Sequence, residues 1–219
     1  MGYWPDVPVL SPDDPVAFAA HYGPGIGYDV EFDGSGTSLP SGWSWVNQGA
    51  ATYEERLGAG VISLPVSANN MRGIMRALPS ESTWTAYAKV SGLFPNNGTN
   101  AAVTFAMRES ATDEIAMLRH TSVTASTLGT VRYNTTGMSG GANISTSYST
   151  AYTGRDYFRI KRNSATSYDF AWSTDGLTWA VIDAARDLSG FFTPDQIGIL
   201  SNVDVSLDTK VAVHWFRVR

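Results

Sequence analysis

Regular alternation of side-chain character in the last third of the chain restricts the possible folds more than any other feature. In the run DYFRIKRN, residues 156–163, the apolar Phe158 and Ile160 alternate with charged neighbours. Residues 167–174, SYDFAWST, alternate in the same way. A period of two places successive side chains on opposite faces of a β-strand. The pattern therefore predicts consecutive strands, each with two different faces.

Turn signals separate these strands and support antiparallel pairing. Ser173–Gly176 supplies a glycine that accepts a positive φ and an Asp that can accept hydrogen bonds within its own turn. From Tyr28 onward, strand-like runs recur at a spacing of about ten to fifteen residues, which is typical of a sandwich or jelly roll. The predicted strands are residues 28–33, 43–47, 60–66, 71–78, 83–91, 101–109, 113–121, 128–134, 144–149, 156–163, 167–174, 178–182, 195–200 and 210–218. The predicted fold class is all-β: an antiparallel, two-sheet β-sandwich.

Composition excludes several classes of function. A length of 219 residues suits one all-β domain, and 43% hydrophobic residues exclude a disordered chain. The net charge of −5 without a cluster of Lys or Arg argues against a nucleic-acid surface. The chain has no cysteine and only three scattered histidines, so neither a disulfide nor a zinc site is expected. The start of the chain lacks signal-peptide features, and no run approaches the ~20 apolar residues of a membrane span. We therefore expect no membrane insertion, and synthesis in the cytosol unless a processed leader was removed.

Residues 1–27 differ from the sandwich predicted for residues 28–219. They contain five of the ten prolines, which remove ladder donors, so an extended arm with one short helical turn around residues 14–20 is predicted. The arm also carries apolar side chains that a flexible linker would avoid. We interpret it as an attachment arm for a partner protein; the alternative is an arm folded back over an edge of its own sandwich. The predicted docking residues are Tyr3, Trp4, Val7, Val9, Leu10 and Phe18.

Several motifs resemble those of the concanavalin A-like lectin and glucanase superfamily, and in particular its small β-sandwich modules. They are an opening LPxGWxW run at 39–45, FRIKR at 158–162, SxDGxxW at 173–179, an Ile197-Gly198 pair and a closing WFRV at 215–218. The resemblance covers residues 28–219 and implies the sandwich fold. It also implies that Trp172, Trp179 and Trp215 are buried, together with one of Trp43 and Trp45.

Two groups of carboxylates are candidates for acid/base chemistry. Asp29, Glu31 and Asp33 lie at a period of two in the first predicted strand. The glucanases of the superfamily carry such carboxylates in a mid-chain strand, in a Glu-x-Asp order, so the resemblance favours no catalysis here. Solvent exposure or a calcium site explains the three carboxylates better. Glu109 and the pair at 113–114 lie at a predicted hairpin and are interpreted as a polar turn. We predict no catalytic residue and no cofactor apart from this calcium alternative.

Tyrosines and basic side chains are the candidate saccharide ligands. Aromatic rings stack on the apolar faces of sugars, and arginines bind acidic groups; the alternative role for the basic residues is pairing with acids on neighbouring strands. The predicted ligand-binding residues are Tyr87, Arg108, Arg119, His120, Arg132, Tyr133, Tyr148 and Tyr152. Several of the basic residues are expected to line up across one face of a sheet with His120.

A cysteine-free, lectin-like domain behind a short apolar arm also resembles accessory proteins of bacteriophage virions. That resemblance implies a non-catalytic structural or adhesion module of a capsid or tail. Such a module is made in the host cytoplasm and joins a larger assembly through its arm, with cell-surface glycan as the candidate ligand. The alternative is a bacterial carbohydrate-binding module or a degenerate glucanase-like protein, cytoplasmic or exported.

Overall fold

Two antiparallel β-sheets form the molecule. The computed structural model describes residues 12–32, 34–65, 70–93, 102–121, 127–137, 142–143, 148–149, 156–202 and 208–219. Sheet 1 contains β1 (Val30–Glu31), β3 (Thr52–Arg56), β4 (Ala59–Leu64), β6 (Trp84–Leu93), β12 (Asp156–Arg162), β13 (Ser167–Ser173), β14 (Ala180–Asp187) and β16 (Thr209–Val218). Sheet 2 contains β2 (Trp43–Val46), β5 (Met71–Ala77), β7 (Ala102–Arg108), β8 (Ile115–Thr121), β9 (Thr127–Tyr133), β10 (Ala142–Asn143), β11 (Tyr148–Ser149) and β15 (Gln196–Asn202).

The strand order confirms the predicted two-sheet sandwich. Sheet 1 runs β14-β13-β12-β6-β16-β4-β3, with β1 beside β16, and sheet 2 runs β10-β9-β8-β7-β15-β5-β2, with β11 beside β9. The predicted strand at 28–33 is shorter than expected, and of the strand predicted at 144–149 only residues 148–149, which form β11, lie within the described residues. Strand β3, at the edge of sheet 1, was not predicted from the sequence.

The main core lies between the sheets and follows the predicted alternation. Phe158 and Ile160 of sheet 1 and Phe105 and Leu118 of sheet 2 are fully buried in one cluster. Burial of a large apolar side chain stabilises the fold by about 1.5–3 kcal/mol relative to exposure. The outward face of sheet 2 carries a second buried apolar cluster, formed by Val46, Met71, Met75, Ala106, Ile115, Met117, Val131, Tyr133 and Leu200.

The predicted turn at Ser173–Gly176 is confirmed. The Asp175 carboxylate accepts hydrogen bonds from the backbone N–H groups of Leu177 and Thr178, both at 2.8 Å, and Gly176 has a φ of 73°. These backbone donors, with Thr178 the stronger, lower the pKa of Asp175 to about 2. The turn therefore uses the two residues whose side-chain chemistry and backbone freedom suggested it.

Helix α1 (Pro15–Tyr22) packs on the outward face of sheet 1. Asp14 caps its first turn by accepting from the backbone N–H of Val16 at 2.8 Å, as the predicted helical turn requires. Phe18 is 1% exposed and makes ring contacts with Tyr87 and Trp215, at centroid distances of 5.1 and 5.4 Å. In the described part of the chain, no helix is long and apolar enough to cross a membrane.

Polar contacts fix the segment before the helix on the same face. The fully buried Arg217 donates to the backbone oxygens of Pro12 (2.6 Å) and Asp13 (3.1 Å). The Asp13 carboxylate accepts from Lys89 Nζ at 2.6 Å and from Trp215 Nε1 at 3.1 Å. Burial acts to raise the pKa of Asp13, but the hydrogen bonds from Lys89 and Trp215 outweigh it and lower the pKa.

These contacts correct one part of the interpretation of residues 1–27 as an attachment arm. From Pro12 onward the chain packs on its own sheet, so Phe18 lies inside the molecule and not on a docking surface. The alternative, an arm folded back over its own sandwich, describes residues 12–22 better, although they cover a sheet face and not an edge. The other predicted docking residues, Tyr3, Trp4, Val7, Val9 and Leu10, lie outside the described residues.

Two of the three carboxylates proposed as calcium ligands form ion pairs with arginines. Glu31 Oε1 accepts from Arg217 Nε at 2.9 Å, and Asp29 Oδ1 accepts from Arg219 Nη1 at 2.7 Å. Asp33 lies outside the described residues. Within those residues, no group of three or more His, Cys, Asp or Glu side chains is arranged to hold a metal ion. Asp29 and Glu31 thus bind two arginines at the end of the last strand, Arg217 within β16 and Arg219 directly after it.

Candidate functional site

A groove opens where the edge strands β2 and β3 lie next to each other. The chain passes from sheet 2 to sheet 1 between these strands, through a turn in which Asn47 and Gly49 adopt positive φ values of 51° and 52°. The turn is closed by a hydrogen bond from Ala51 N to Gln48 O of 2.8 Å. A second loop lies along β3, because Glu55 N donates to Gly36 O at 2.7 Å. The groove is bordered by this loop, the turn and the two edge strands.

The groove has the size and lining of a small ligand site. Its cavity volume is about 370 Å³, within the range of about 300–1,000 Å³ that holds small ligands. It combines one half-buried indole with hydroxyl, amide and carboxylate groups. Its lining residues are Thr37, Trp45, Gln48, Ala51, Thr52, Tyr53 and Glu54.

Trp45 is half-buried because it lies on an edge strand. Trp43 and Trp45 alternate with Ser44, so both rings face the space between the sheets. Trp43 is 7% exposed and packs against Phe32 and Phe216, with centroid distances of 5.7 and 5.3 Å. Trp45 is less covered and borders the groove. The expectation that only one of the two tryptophans is buried is confirmed.

The polar groups of the groove differ in how free they are to bind a ligand. Tyr53 donates its hydroxyl to Glu55 Oε1 at 2.7 Å, and burial, together with this carboxylate, raises the pKa of Tyr53. The Tyr53 side chain is therefore uncharged and is held in place at the side of the groove. Thr37, Gln48 and Thr52 are exposed, and Glu54 is half-buried with its side chain 44% exposed. These four side chains offer hydroxyl, amide and carboxylate groups to a bound molecule.

Of the basic and aromatic residues predicted to bind saccharide, three lie on the outward face of sheet 2. Arg108 donates to Asp113 Oδ1 and Gln196 Oε1, both at 2.7 Å. Arg119 donates to the Tyr133 hydroxyl at 3.1 Å. Burial acts to raise the pKa of Asp113, but hydrogen bonds from Thr136 and Arg108 outweigh it and lower the pKa. Arg108 thus pairs with an acid, as the alternative role predicts, although Asp113 lies in the β7–β8 hairpin and not on a neighbouring strand.

The prediction that several basic residues line up with His120 across one face of a sheet is wrong. Their positions along the strands place them on opposite faces of sheet 2. His120 and Arg132 face the opposite side of sheet 2 from Arg108 and Arg119. His120 is fully buried, with its Nδ1 at 2.9 and 3.0 Å from the two carboxylate oxygens of Asp156 on sheet 1. Trp172 also donates to Asp156, at 2.6 Å. These three side chains link the two sheets through a polar contact in the core.

The predicted tyrosine ligands are likewise not brought together. Tyr87 is 6% exposed beneath α1, and burial raises its pKa to about 12. Tyr148 pairs through its backbone with Leu128, but its side chain, like the whole of Tyr152, lies outside the described residues. Arg132 lies over the Phe191 ring at 4.5 Å.

Three tryptophans were expected to be buried because of the motifs in which they lie. Trp215 is 2% exposed, whereas Trp172 and Trp179 are half-buried.

Acid/base pairs are absent from the strands of sheet 2 that the structure describes. None of these eight strands contains Asp or Glu. At the β7–β8 hairpin, Glu109 and Glu114 both accept hydrogen bonds from the Thr112 hydroxyl, at 3.2 and 2.8 Å. Glu109 also accepts from the backbone N–H of Thr193 at 3.2 Å. These carboxylates have the bonding pattern of a polar turn.

Sequence reasoning missed the hydrogen-bonding residues of the groove. Thr52 and Glu54 belong to β3, whose sequence TYEER has one apolar residue and two adjacent acids. Such polar strands are common at sheet edges, where charge prevents pairing with other chains. The available signal was the long gap, residues 48–59, between the predicted strands at 43–47 and 60–66, which leaves room for one more edge strand.

Comparison with known proteins gives a fold but no sequence family. Neither a protein-family model nor a curated protein sequence matches this chain. The Bacillus licheniformis GH43 protein BlXynB matches 87% of this chain with a TM-score of 0.67 and 15% identity, and this chain spans 38% of that protein. The CBM2 module of the evolved Dit of Lactobacillus casei BL23 phage J-1 matches with a TM-score of 0.57 and 10% identity, over 87% of this chain and 94% of the module.

A third structure with a similar fold is the carbohydrate recognition domain of Emp47p. It matches with a TM-score of 0.56 and 12% identity, over 87% of this chain and 94% of that domain. At these identities the likeness concerns the fold alone. The phage module and the Emp47p domain match along nearly their whole length, so the likeness in fold extends over each of these two domains.

Proposed function

We propose that this chain, which has the β-sandwich fold of the concanavalin A-like lectins and glucanases, is a non-catalytic carbohydrate-binding module. The groove between β2 and β3 is the binding site. The observation that carries the proposal is the half-buried Trp45 indole in a 370 Å³ groove that also presents four hydrogen-bonding side chains. The similar fold of the Emp47p carbohydrate recognition domain supports the same class of ligand.

The chemistry of the groove suits a pyranose ring. One face of a pyranose carries C–H groups and packs on an indole, while its hydroxyls remain at the ring edge. Thr37, Gln48 and Thr52 line the same groove as the indole, and their side chains can donate to or accept from those hydroxyls. Glu54 Oε1 accepts from Arg56 at 3.2 Å, and the other carboxylate oxygen can accept from a sugar hydroxyl. An apolar wall with a few polar groups around it is the usual composition of a small-molecule site.

Removal of the indole should abolish most of the affinity for glycan. With a ligand selected on a glycan array, Trp45→Ala should weaken binding about 30-fold, because a central aromatic contact is worth about 2 kcal/mol. Isothermal titration calorimetry measures the loss. Gln48→Ala, which changes an exposed side chain, should weaken binding without lowering the melting temperature. Trp179→Ala, a half-buried tryptophan outside the groove, is the matched control, and an equal loss of affinity in this variant would contradict the proposed site.

The absence of hydrolysis forms the second part of the proposal. The carboxylate-free strands of sheet 2 and the ion pairs of Asp29 and Glu31 support it. Purified protein should release no reducing sugar from β-glucans, xylan, alginate or agar above a buffer blank. Activity that disappears in Glu109→Gln would place an active site at the β7–β8 hairpin and refute the proposal, and activity that disappears in Glu31→Gln would refute it as well.

A virion is the proposed setting for this module. The fold shared with a module of a phage Dit supports it, as do the apolar residues Tyr3, Trp4, Val7, Val9 and Leu10 ahead of the docked segment. In this proposal residues 1–11 attach the sandwich to other particle proteins, and the groove faces cell-surface glycan. Immunogold labelling of purified virions with an antibody against this protein tests the proposed setting. Virions that carry no label would contradict it.

A further inference from the structure

Part of the outward face of sheet 1 is an open trough. Helix α1 covers the part of this face around Tyr87 and Trp215. Beyond it, Glu54, Val61, Ala212 and Ser91 are register partners across β3, β4, β16 and β6, so their side chains form one row across four strands. Neighbouring strands lie about 4.8 Å apart, so the row is about 14 Å long.

Small side chains make the floor of the trough and larger ones make its rim. Ala59, Val61 and Ala212 form the floor, and the cavity volume is about 350 Å³. On one side the rim is Leu57, which is 92% exposed at the tip of the β3–β4 hairpin. Lys210 and His214 are on β16, on either side of Ala212. The trough is therefore a lined groove and not a flat sheet surface.

The trough and the Trp45 groove meet at strand β3. Glu54 lines both cavities. Thr52 and Glu54 are two residues apart, so their side chains lie on the same face of β3. A ligand that stacks on Trp45 can thus continue over the edge strand and onto the outward face of sheet 1. The combined length requires an oligosaccharide of several sugar units.

The charges in the trough favour an anionic ligand. Glu54 and Arg56 form an exposed ion pair at 3.2 Å, so their charges offset each other. Lys210 is exposed and forms no ion pair with any residue that the structure describes, which leaves one positive charge. Ser91 lies diagonally across from Lys210 on the same face, within reach of the same ligand group, and its hydroxyl is 3.0 Å from His214 Nε2.

We propose that the ligand is an oligosaccharide containing a uronic acid, whose carboxylate binds Lys210 in the trough while another unit of the same chain stacks on Trp45. This inference rests on the proposed function and names the class of glycan. A carboxylate carries one negative charge, which matches the ammonium of Lys210, a side chain without an ion pair among the described residues. A phosphate monoester carries up to two charges beside the Glu54 carboxylate and fits less well.

An array of oligosaccharides in matched pairs tests the assignment. Each pair consists of a uronate-containing glycan and its carboxyl-reduced counterpart, which differ in charge but share backbone and linkage. The protein should bind the uronate member of at least one pair about tenfold more tightly, and added salt should reduce this preference. In Lys210→Gln the preference should disappear while affinity for the reduced glycan stays the same. Lys161→Gln, which removes an exposed lysine from β12 of the same sheet, should retain the preference.

The other outcomes separate the failure of this inference from the failure of the proposed function. Equal binding of both pair members, or a preference that survives Lys210→Gln, would overturn the uronate assignment. A preference for sulfated glycans would overturn it as well. If neutral glycans bind and Trp45→Ala abolishes the binding, carbohydrate binding stands and only the trough assignment fails. If no glycan binds, both fail.

Discussion

Replacement of Phe18 by alanine should lower the free energy of unfolding by about 4 kcal/mol, the usual cost of truncating a buried phenylalanine. Phe18 is 1% exposed and packs among Tyr22, Tyr87 and Trp215, with the guanidinium of Arg217 4.7 Å from its ring. Its loss leaves a cavity between α1 and sheet 1. Urea unfolding followed by tryptophan fluorescence measures the change.

Val16 provides the matched control on the same helix. Its side chain is 77% exposed, so Val16→Ala should change the unfolding free energy by less than about 0.5 kcal/mol. Equal, small effects of the two substitutions would show that α1 is not docked on sheet 1 as described. In that case the interpretation of the whole N-terminal segment as a free arm would regain support.

Replacement of Arg217 by methionine should cost about 3 kcal/mol. The substitution keeps most of the side-chain volume but leaves the Glu31 carboxylate and the carbonyls of Pro12 and Asp13 without their donor. Loss of one partner of a buried ion pair costs about 3–5 kcal/mol, and the 36% exposure of the Glu31 side chain places the expected value at the lower end.

Arg56→Met is the corresponding control, because Arg56 also pairs with a glutamate. That pair is exposed on both sides, at 58% and 44%, so its loss should change the unfolding free energy by at most about 0.5 kcal/mol. Comparable melting temperatures of the two variants would mean that the segment before α1 contributes little to the fold. A much lower melting temperature for Arg217→Met than for Arg56→Met would mean that residues 12–22 fold together with the sandwich.

The fold was predictable because strands such as β12 alternate with a period of two. Phe158 and Ile160 face the core and Arg159 and Lys161 face outward, as the sequence alone indicates. The position of α1 was not predictable. Phe18 has the same apolar character whether it binds a partner or its own sheet, and only the burial of Arg217 and Lys89 beneath the segment distinguishes the two.

The candidate site was less predictable because it depends on which strands form the edges. Trp45 lies in a recognised motif, but its partial exposure results from the edge position of β2. Glu54 and Thr52 belong to β3, which was not predicted as a strand because most of its residues are polar. The predicted ligands His120 and Arg119 are adjacent in sequence and therefore point to opposite faces, which a search for basic residues alone does not register.

The most direct test of the central claim is a nuclear magnetic resonance titration of the isotope-labelled protein with a glycan that it binds. The account predicts that the indole N–H resonance of Trp45 shifts with added glycan, together with the side-chain amide of Gln48 and the backbone of Thr52. The indoles of Trp215 and Trp43 should remain unchanged. Shifts concentrated at Arg119 and Tyr133, on the outward face of sheet 2, with a stationary Trp45 resonance would contradict the account.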